Sequence, residues 1–257
     1  MLVRGPARLC LSLLARLSTT AGERDIFLRT AELVRLPQSA VAEAGPEEQK
    51  RALVAALELH RDAERLINRF ANLHYKGRHP KHHLWTEHNR FLYDECRPED
   101  RVVDIGCGGS AYQEWIAGKV RRFVAVDIDP RRIEVAKCNH PDSSVEYRVM
   151  DVTTDLPAGE FDVAICSHVL EHLDDPVVFL RRLSELVERV IIKVPLEDTN
   201  WIKLVRRDLG LFWLDDHDHR REYTEALLTE HLTAAGWSID KMVRGYDLRA
   251  TARRADN

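Results

Sequence analysis

Apolar positions along the chain change their spacing several times, and each change marks a new element. From Glu47 onward, Leu53, Ala56, Leu57, His60, Ala63, Leu66, Ile67 and Phe70 recur at intervals of three and four residues. That is the period of one face of an amphipathic helix, predicted here over about 47–75, with His60 as part of the packing face. A shorter helix is expected through Trp85, His88, Phe91 and Leu92, ending before Arg97 and Pro98. The pattern then turns to short β-branched runs: RVVDI from Arg101, FVAVDID closing at Asp127, VEYRVM ending at Met150, and FDVAICS over residues 161–167. A helix over 111–119 follows the first run, and HVLEHLDDP is expected to open another, placing Glu171 and His172 on it. Strands that alternate with helices predict an open, mainly parallel sheet covered on both faces.

Composition narrows the class. The chain has 257 residues, enough for one core with an appendage and too few for two domains of roughly 150 residues each. We divide it into a segment 1–22, a helical extension 23–78 and a main domain 79–257. Residues 36–47 (LPQSAVAEAGPE) read as a linker or turn between helices. Lys and Arg total 38 against 42 Asp and Glu, a net charge of −4, with no long basic run. Such a surface does not suit a dedicated nucleic-acid binder, which needs clustered cations. Five cysteines, with no CxxC pair, fit a reducing compartment, and a cytoplasmic location is expected. Residues 1–22 lack acids and carry Arg4, Arg8 and Arg16. That composition suits a mitochondrial transit peptide, a short amphipathic helix or a frayed terminus, and the apolar run Leu9–Leu14 is too short for a membrane span. KGRHPKHH, residues 76–83, is the densest basic stretch. It reads either as a solvated helix entry or, through Lys81 and His82, as a grip on an anionic ligand.

The chemistry concentrates where the first strand ends. RVVDIGCGGS runs from a strand straight into a glycine turn, where Gly106 and Gly108 allow a ligand to approach the backbone closely. The next helix offers unpaired N–H groups at its start. Gly106, Gly108 and Ala111 would also satisfy a relaxed dinucleotide pattern. Asp104 argues against that ligand, because a carboxylate at the strand end repels a pyrophosphate and suits a cationic amino group. Asp127 ends the second strand, where an acid can accept hydrogen bonds from both ribose hydroxyls.

This order of motifs resembles the class I S-adenosylmethionine (SAM) dependent methyltransferases, from about Pro80 to the C-terminus. The acid-x-Gly-x-Gly loop, Asp127, Asp151 after the third strand and the VLEHLDDP segment carry the resemblance; Ser110 stands where a third glycine is often found. IIKVPLEDTNWIKLVRRDLG, DDHDHRREYT and HLTAAGWSI, with HPKHHLWTEHNRFLYDE upstream, further resemble a bacterial set of the methyltransferase type 11 kind, associated with glycan or small-metabolite modification. Thr199 and Asn200 precede Trp201 where that set commonly has an acid-Arg-Asp run. The resemblance implies a Rossmann-like seven-stranded sheet, completed by an antiparallel pair over about 238–252, with the N-terminal helices over its cofactor edge. It implies SAM as cofactor. Asp104, Gly106, Cys107 and Gly108 would lie along its methionine moiety, Asp127 and Ile128 at its ribose, Asp151 and Val152 at the adenine edge, and Ser167 and His168 over the sulfonium.

Methyl transfer from a sulfonium needs alignment and exclusion of water, and a base only when the acceptor is a hydroxyl. His219, at the head of HRREYT, is the first candidate base. Asp198 is expected to orient the acceptor, and Tyr223 either to orient it or to pack. A divalent ion on Glu171, His172, Asp174 and Asp175 is set aside, because solvated acids at a helix start explain that cluster equally well. The expected acceptor is a small molecule or glycan, methylated at oxygen. The alternatives are a non-catalytic SAM-fold protein that docks partners on the helix over 47–75, and a NAD-dependent enzyme. The sequence gives no sign of oligomeric state.

Overall fold

The computed structural model describes residues 43–75, 88–109, 112–140 and 144–255. The expectations for 1–22 and for the basic stretch 76–83 lie outside these residues. The chain divides into two compact units, residues 1–79 and 80–257. In the first, helix α1 (Pro46–His74) follows the predicted period, with Pro46 in its first turn and Glu47 and Glu48 at its positive end. Leu57 is buried, whereas Leu53, Ile67, Phe70 and Leu73 are exposed. His60 is exposed too, 3.6 Å from Glu64 one turn on.

The second unit opens with α2 (Arg90–Glu95) and builds β1 (Arg101–Ile105), α3 (Gln113–Ala117), β2 (Arg122–Asp127), α4 (Pro130–Asn139) and β3 (Val145–Val149). After β4 (Val163–Ser167) come α5 (Pro176–Leu186), β5 (Arg189–Pro195), α6 (Trp201–Asp208), α7 (Glu225–Ala234), β6 (Trp237–Arg244) and β7 (Asp247–Arg254). The seven strands form one sheet in the order β3-β2-β1-β4-β5-β7-β6. The first five are parallel, and β7 runs antiparallel between β5 and β6. Polar residues set the helix starts: Asp129 accepts from the N–H of Arg131, Asp175 from Val178, Asn200 from Lys203 and Thr224 from Leu227.

Alternation along the central strands sends side chains into two cores. Val103, Ile105, Val124, Val126 and Ile192 join the cluster that includes Phe179 and Leu183 of α5 and Leu228 and Leu232 of α7. Val102, Phe123, Ala125, Ile165 and Ile191 join Leu92 of α2 and Ile116 of α3. By the same alternation Asp104 and Lys193 point toward the second cluster.

Two expectations are corrected. The helix after the glycine turn is shorter than 111–119, and HVLEHLDDP is not helical. His168 takes φ +58°, residues 170–172 form a turn, and α5 begins only after Asp175. Arg221 holds that turn by donating to the carbonyls of Leu170, Leu173 and Asp174, so Glu171 and His172 sit on an irregular segment clamped from outside.

Candidate functional site: the carboxyl ends of the strands

Strand order reverses between β1 and β4, the place where an open α/β sheet leaves a crevice at its carboxyl edge. The turn after β1 lies there. Gly106 and Gly108 both have positive φ, +67° and +61°. A Cβ on Gly106 would come within 2.9 Å of Val169 Cγ2, whereas one on Gly108 would meet nothing within 4 Å. The first glycine is thus required by packing as well as by conformation; the second is required by conformation, beside open space. Between them Cys107 donates its N–H to Val126 O at 2.9 Å, while burial and the charges of Asp104 and Asp127 push its thiol well above the ordinary range. Cys107 belongs to the wall and is unsuited to act as a thiolate.

Asp127 ties the crevice together. Oδ2 accepts from Gly108 N at 2.8 Å and Oδ1 from Asp129 N at 2.9 Å, while its carbonyl accepts from Met150 N. Each carboxylate oxygen keeps a second lone pair for a ligand hydroxyl. Ile128, next in sequence, is 64% exposed. Asp151 is bound up in its own turn, accepting from the N–H and hydroxyl of Thr153, which hold its carboxyl below the usual range. Val152 is partly buried against the first core.

Asp104 is fully buried, and both its oxygens are engaged, Oδ1 by the Tyr112 hydroxyl at 2.8 Å and Oδ2 by Gln113 Nε2 at 2.7 Å. Burial raises its pKa to about 7 against the pull of those two donors, and the charge of Asp127 adds to the rise. Gln113 also donates to Cys107 O. Asp104 therefore acts from behind the glycine turn, bracing it through Gln113.

Beyond β4 the site turns ionic. Ser167 is half-buried at the strand end, and His168 donates its N–H to Lys193 O at 2.8 Å. Its ring lies 3.1 Å from the buried Glu171 and 3.6 Å from Asp247. Lys193 and His88, both almost wholly buried, complete the group: Lys193 Nζ is 3.0 Å from His88 Nε2, 2.9 Å from Asn89 Oδ1 and 3.8 Å from Asp247. A second buried pair, Lys203 with Glu222, underlies the HRREYT segment.

Of the three catalytic candidates, His219 lies closest to this ionic group. Its side chain is 8% exposed, 3.6 Å from Glu222 and edge-on to His172. Asp198 pairs with Arg244 at 2.7 Å near the surface, which holds its carboxyl low. Tyr223 is completely buried in the first core with its hydroxyl 3.3 Å from His231 Nδ1, so the packing alternative is the one its position supports. Sequence reasoning missed Gln113, His88, Lys193, Asp247 and Glu222. One signal was present: Lys193 interrupts the apolar run of β5, and a charge there must find a buried partner.

The sheet order, the single reversed strand and the glycine turn tied to Asp127 define the class I methyltransferase architecture. A profile of the methyltransferase-domain family matches residues 58–241, well over half of the sequence, and the chain belongs to that SAM-dependent family. A ubiquinone biosynthesis O-methyltransferase of Xanthomonas campestris pv. campestris is 38% identical over 96 residues, 35% of this chain and 40% of the relative. The match thus spans about two fifths of that curated relative's length. An S-adenosylmethionine dependent methyltransferase from Mesorhizobium loti superposes with a TM-score of 0.53 at 17% identity, over 65% of this chain and 97% of that one. Magnesium protoporphyrin IX methyltransferase from Synechocystis, solved with bound SAH, gives 0.52 at 17% identity over 89% and 94%. At these identities the two structures show the shared fold.

Proposed function

We propose that the protein transfers a methyl group from SAM to a hydroxyl oxygen of a small molecule. The observation that carries this reading is the turn after β1, where two glycines have positive φ and the second, tied to the Asp127 carboxylate, leaves open space beside its backbone at the sheet's switch point. Bound SAM supplies a methyl group on a sulfonium. Around it, Asp127 accepts from the ribose hydroxyls with Ile128 alongside, and Gly106, Cys107 and Gly108 present main chain to the methionine portion. Asp104 braces that turn, Asp151 and Val152 border the adenine, and Ser167 and His168 face the reacting end. Asp198, held by Arg244, is a charge at the rim.

Oxygen as the methylated atom, and a small molecule in preference to a glycan, are supported by the name of the Xanthomonas relatives and by the histidines gathered after β4. A nucleic-acid acceptor is not part of the reading, in keeping with the net charge of −4. Cys96, Cys107, Cys138 and Cys166 are free thiols, which supports a cytoplasmic setting, and no helix among the described residues is long and apolar enough to cross a membrane. A second reading, partner binding without catalysis, is favoured by the exposed Leu53, Ile67, Phe70 and Leu73 of α1.

Mass spectrometry of the purified protein for SAM or its demethylated product, with calorimetric titration of SAM against NAD, tests the cofactor. Transfer of tritium from methyl-labelled SAM to a panel of phenols and simple glycans tests the acceptor. Binding of NAD in place of SAM would overturn the proposal. SAM binding with no transfer to any hydroxyl would favour the partner-binding reading.

A further inference from the structure

The strand register extends the cofactor edge of the sheet across to β7. Val126, Ile105, Cys166, Ile192 and Ala250 stand side by side on β2, β1, β4, β5 and β7. One step toward the carboxyl edge lie Asp127, Gly106, Ser167 and Lys193, and, because β7 runs the other way, Arg249. Leu248 and Ala250 on either side of Arg249 belong to the first core. The Arg249 side chain therefore leaves the sheet on the opposite face, which Ser167 and Lys193 share. Two strand spacings, about 10 Å, separate the backbone of Ser167 from that of Arg249.

Arg249 differs from the other arginines of its hairpin. Arg244 pairs with Asp198, Arg253 with Asp240 and Arg254 with Glu188. Arg249 is half-buried, its Nε is buried without a hydrogen bond, and no group among the described residues forms an ion pair or hydrogen bond with its guanidinium. A charge so placed lacks both full hydration and a protein partner. The Asp247 carboxylate, on the same face, is committed elsewhere: it lies 3.5 Å from His88 and 3.8 Å from Lys193, whose ammonium is held in turn by His88 and Asn89. Gly245 sits in the turn that joins β6 to β7 at the carboxyl edge, and a Cβ there would stand 3.3 Å from Arg249 Nη2. The guanidinium thus reaches toward that edge, against a residue with no side chain.

We propose that Arg249 anchors a carboxylate carried by the acceptor, so that the substrate is a hydroxy acid bound by its acid group at β7 while its hydroxyl meets the methyl group beside Ser167. The proposal rests on the methyl-transfer reading and names the substrate class within it. The planar guanidinium matches a carboxylate through paired N–H donors. Charge decides against a phosphate monoester. Arg249 contributes one positive charge without a counter-charge, which a carboxylate balances and a dianion exceeds. The spacing along the row calls for a rigid spacer of about the length of an aromatic ring between hydroxyl and acid. No proton or bond is exchanged at Arg249, which stays charged throughout; it is a binding residue that selects which hydroxyl is presented.

The test uses the full chain saturated with S-adenosylhomocysteine and follows the arginine Nε–H resonances by nitrogen NMR, with Arg249 assigned from Arg249→Gln or Arg249→Lys. Para-hydroxybenzoate or para-hydroxycinnamate should shift the Arg249 signal, and the matching carboxamides should not. In calorimetry, Arg249→Gln should weaken binding of the acid about 30-fold, and Arg249→Lys by less. Arg253→Gln, which removes an equal charge at the other end of β7, should leave it unchanged. With tritium-labelled SAM, the preference in kcat/KM for acid over amide should fall by the same factor in Arg249→Gln, while the KM for SAM stays within a few-fold. Equal responses of the wild type to acids and amides, or a larger response to inorganic phosphate than to either acid, would overturn the anchor without recourse to any variant. Methyl transfer to neutral phenols at the same rate in wild type and Arg249→Gln, with no preference for acids, would overturn it and leave methyl transfer standing. A protein that binds no S-adenosylhomocysteine would refute the methyl-transfer reading, and with it the acceptor's role, whatever Arg249 binds.

Discussion

Gly106 and Asp127 carry the most legible part of the site, and each has a measurable consequence. Gly106→Ala forces a Cβ into the left-handed region and against Val169. We expect a loss of about 2 kcal/mol in urea unfolding, together with weaker SAM binding. Asp127→Ala should weaken SAM binding by about 2 kcal/mol in calorimetry, because a charge-assisted acceptor is lost. Asp104 has a different signature. Its pKa rises from 3.8 to about 7 on folding, so the native state binds more protons across that window and stability falls as pH rises through it. Glu171, moved from 4.5 to about 7, acts in the same direction. Unfolding midpoints between pH 4 and 8 should decline in the wild type and flatten in Asp104→Asn/Glu171→Gln. The glycines and strand-end acids could be read because their roles are local, fixed by the residue type and its place beside a strand. His88, Lys193 and Asp247 could not, because more than fifty residues separate each from the next and only the folded sheet brings them together.

At the level of elements, the turn over 168–175 shows how tertiary contacts override a local pattern. VLEHLDDP has the apolar spacing of a helix start, yet three of its carbonyls are taken by one guanidinium from a segment nearly fifty residues away. Arg221→Ala should cost about 2 kcal/mol, since hydrogen bonds to a charged group exceed neutral ones. Arg221→Lys should recover only part of the loss, because an ammonium cannot reproduce the planar fork. Hydrogen exchange over 168–175 should accelerate in both variants before the rest of the sheet is affected. Elements with a strong period fared better: α1 and the first four strands lie close to where spacing placed them. The β6–β7 pair was expected from family resemblance alone, since its burial alternates irregularly and β6 is mostly surface.

For the whole molecule, a ligand that binds only the folded state must raise its stability. SAM at about 100 times its dissociation constant should contribute about 2.7 kcal/mol, or roughly 5–10 °C in Tm for a unit of this size, whereas NAD should leave Tm unchanged. The parallel sheet and its switch point followed from the strand and helix order. The dense ionic layer beyond β4 did not, because a charge balance of 38 against 42 says nothing of which charges are buried together.

The placement of β7 between β5 and β6 has a consequence for synthesis. β5 is almost entirely buried, and one of its edges is covered only by residues 247–253. Until the ribosome has released that stretch, a nascent chain holds an apolar strand with an unsatisfied edge, a template for pairing with a neighbouring copy. Messages truncated before β7 should therefore yield aggregates in place of a smaller folded protein.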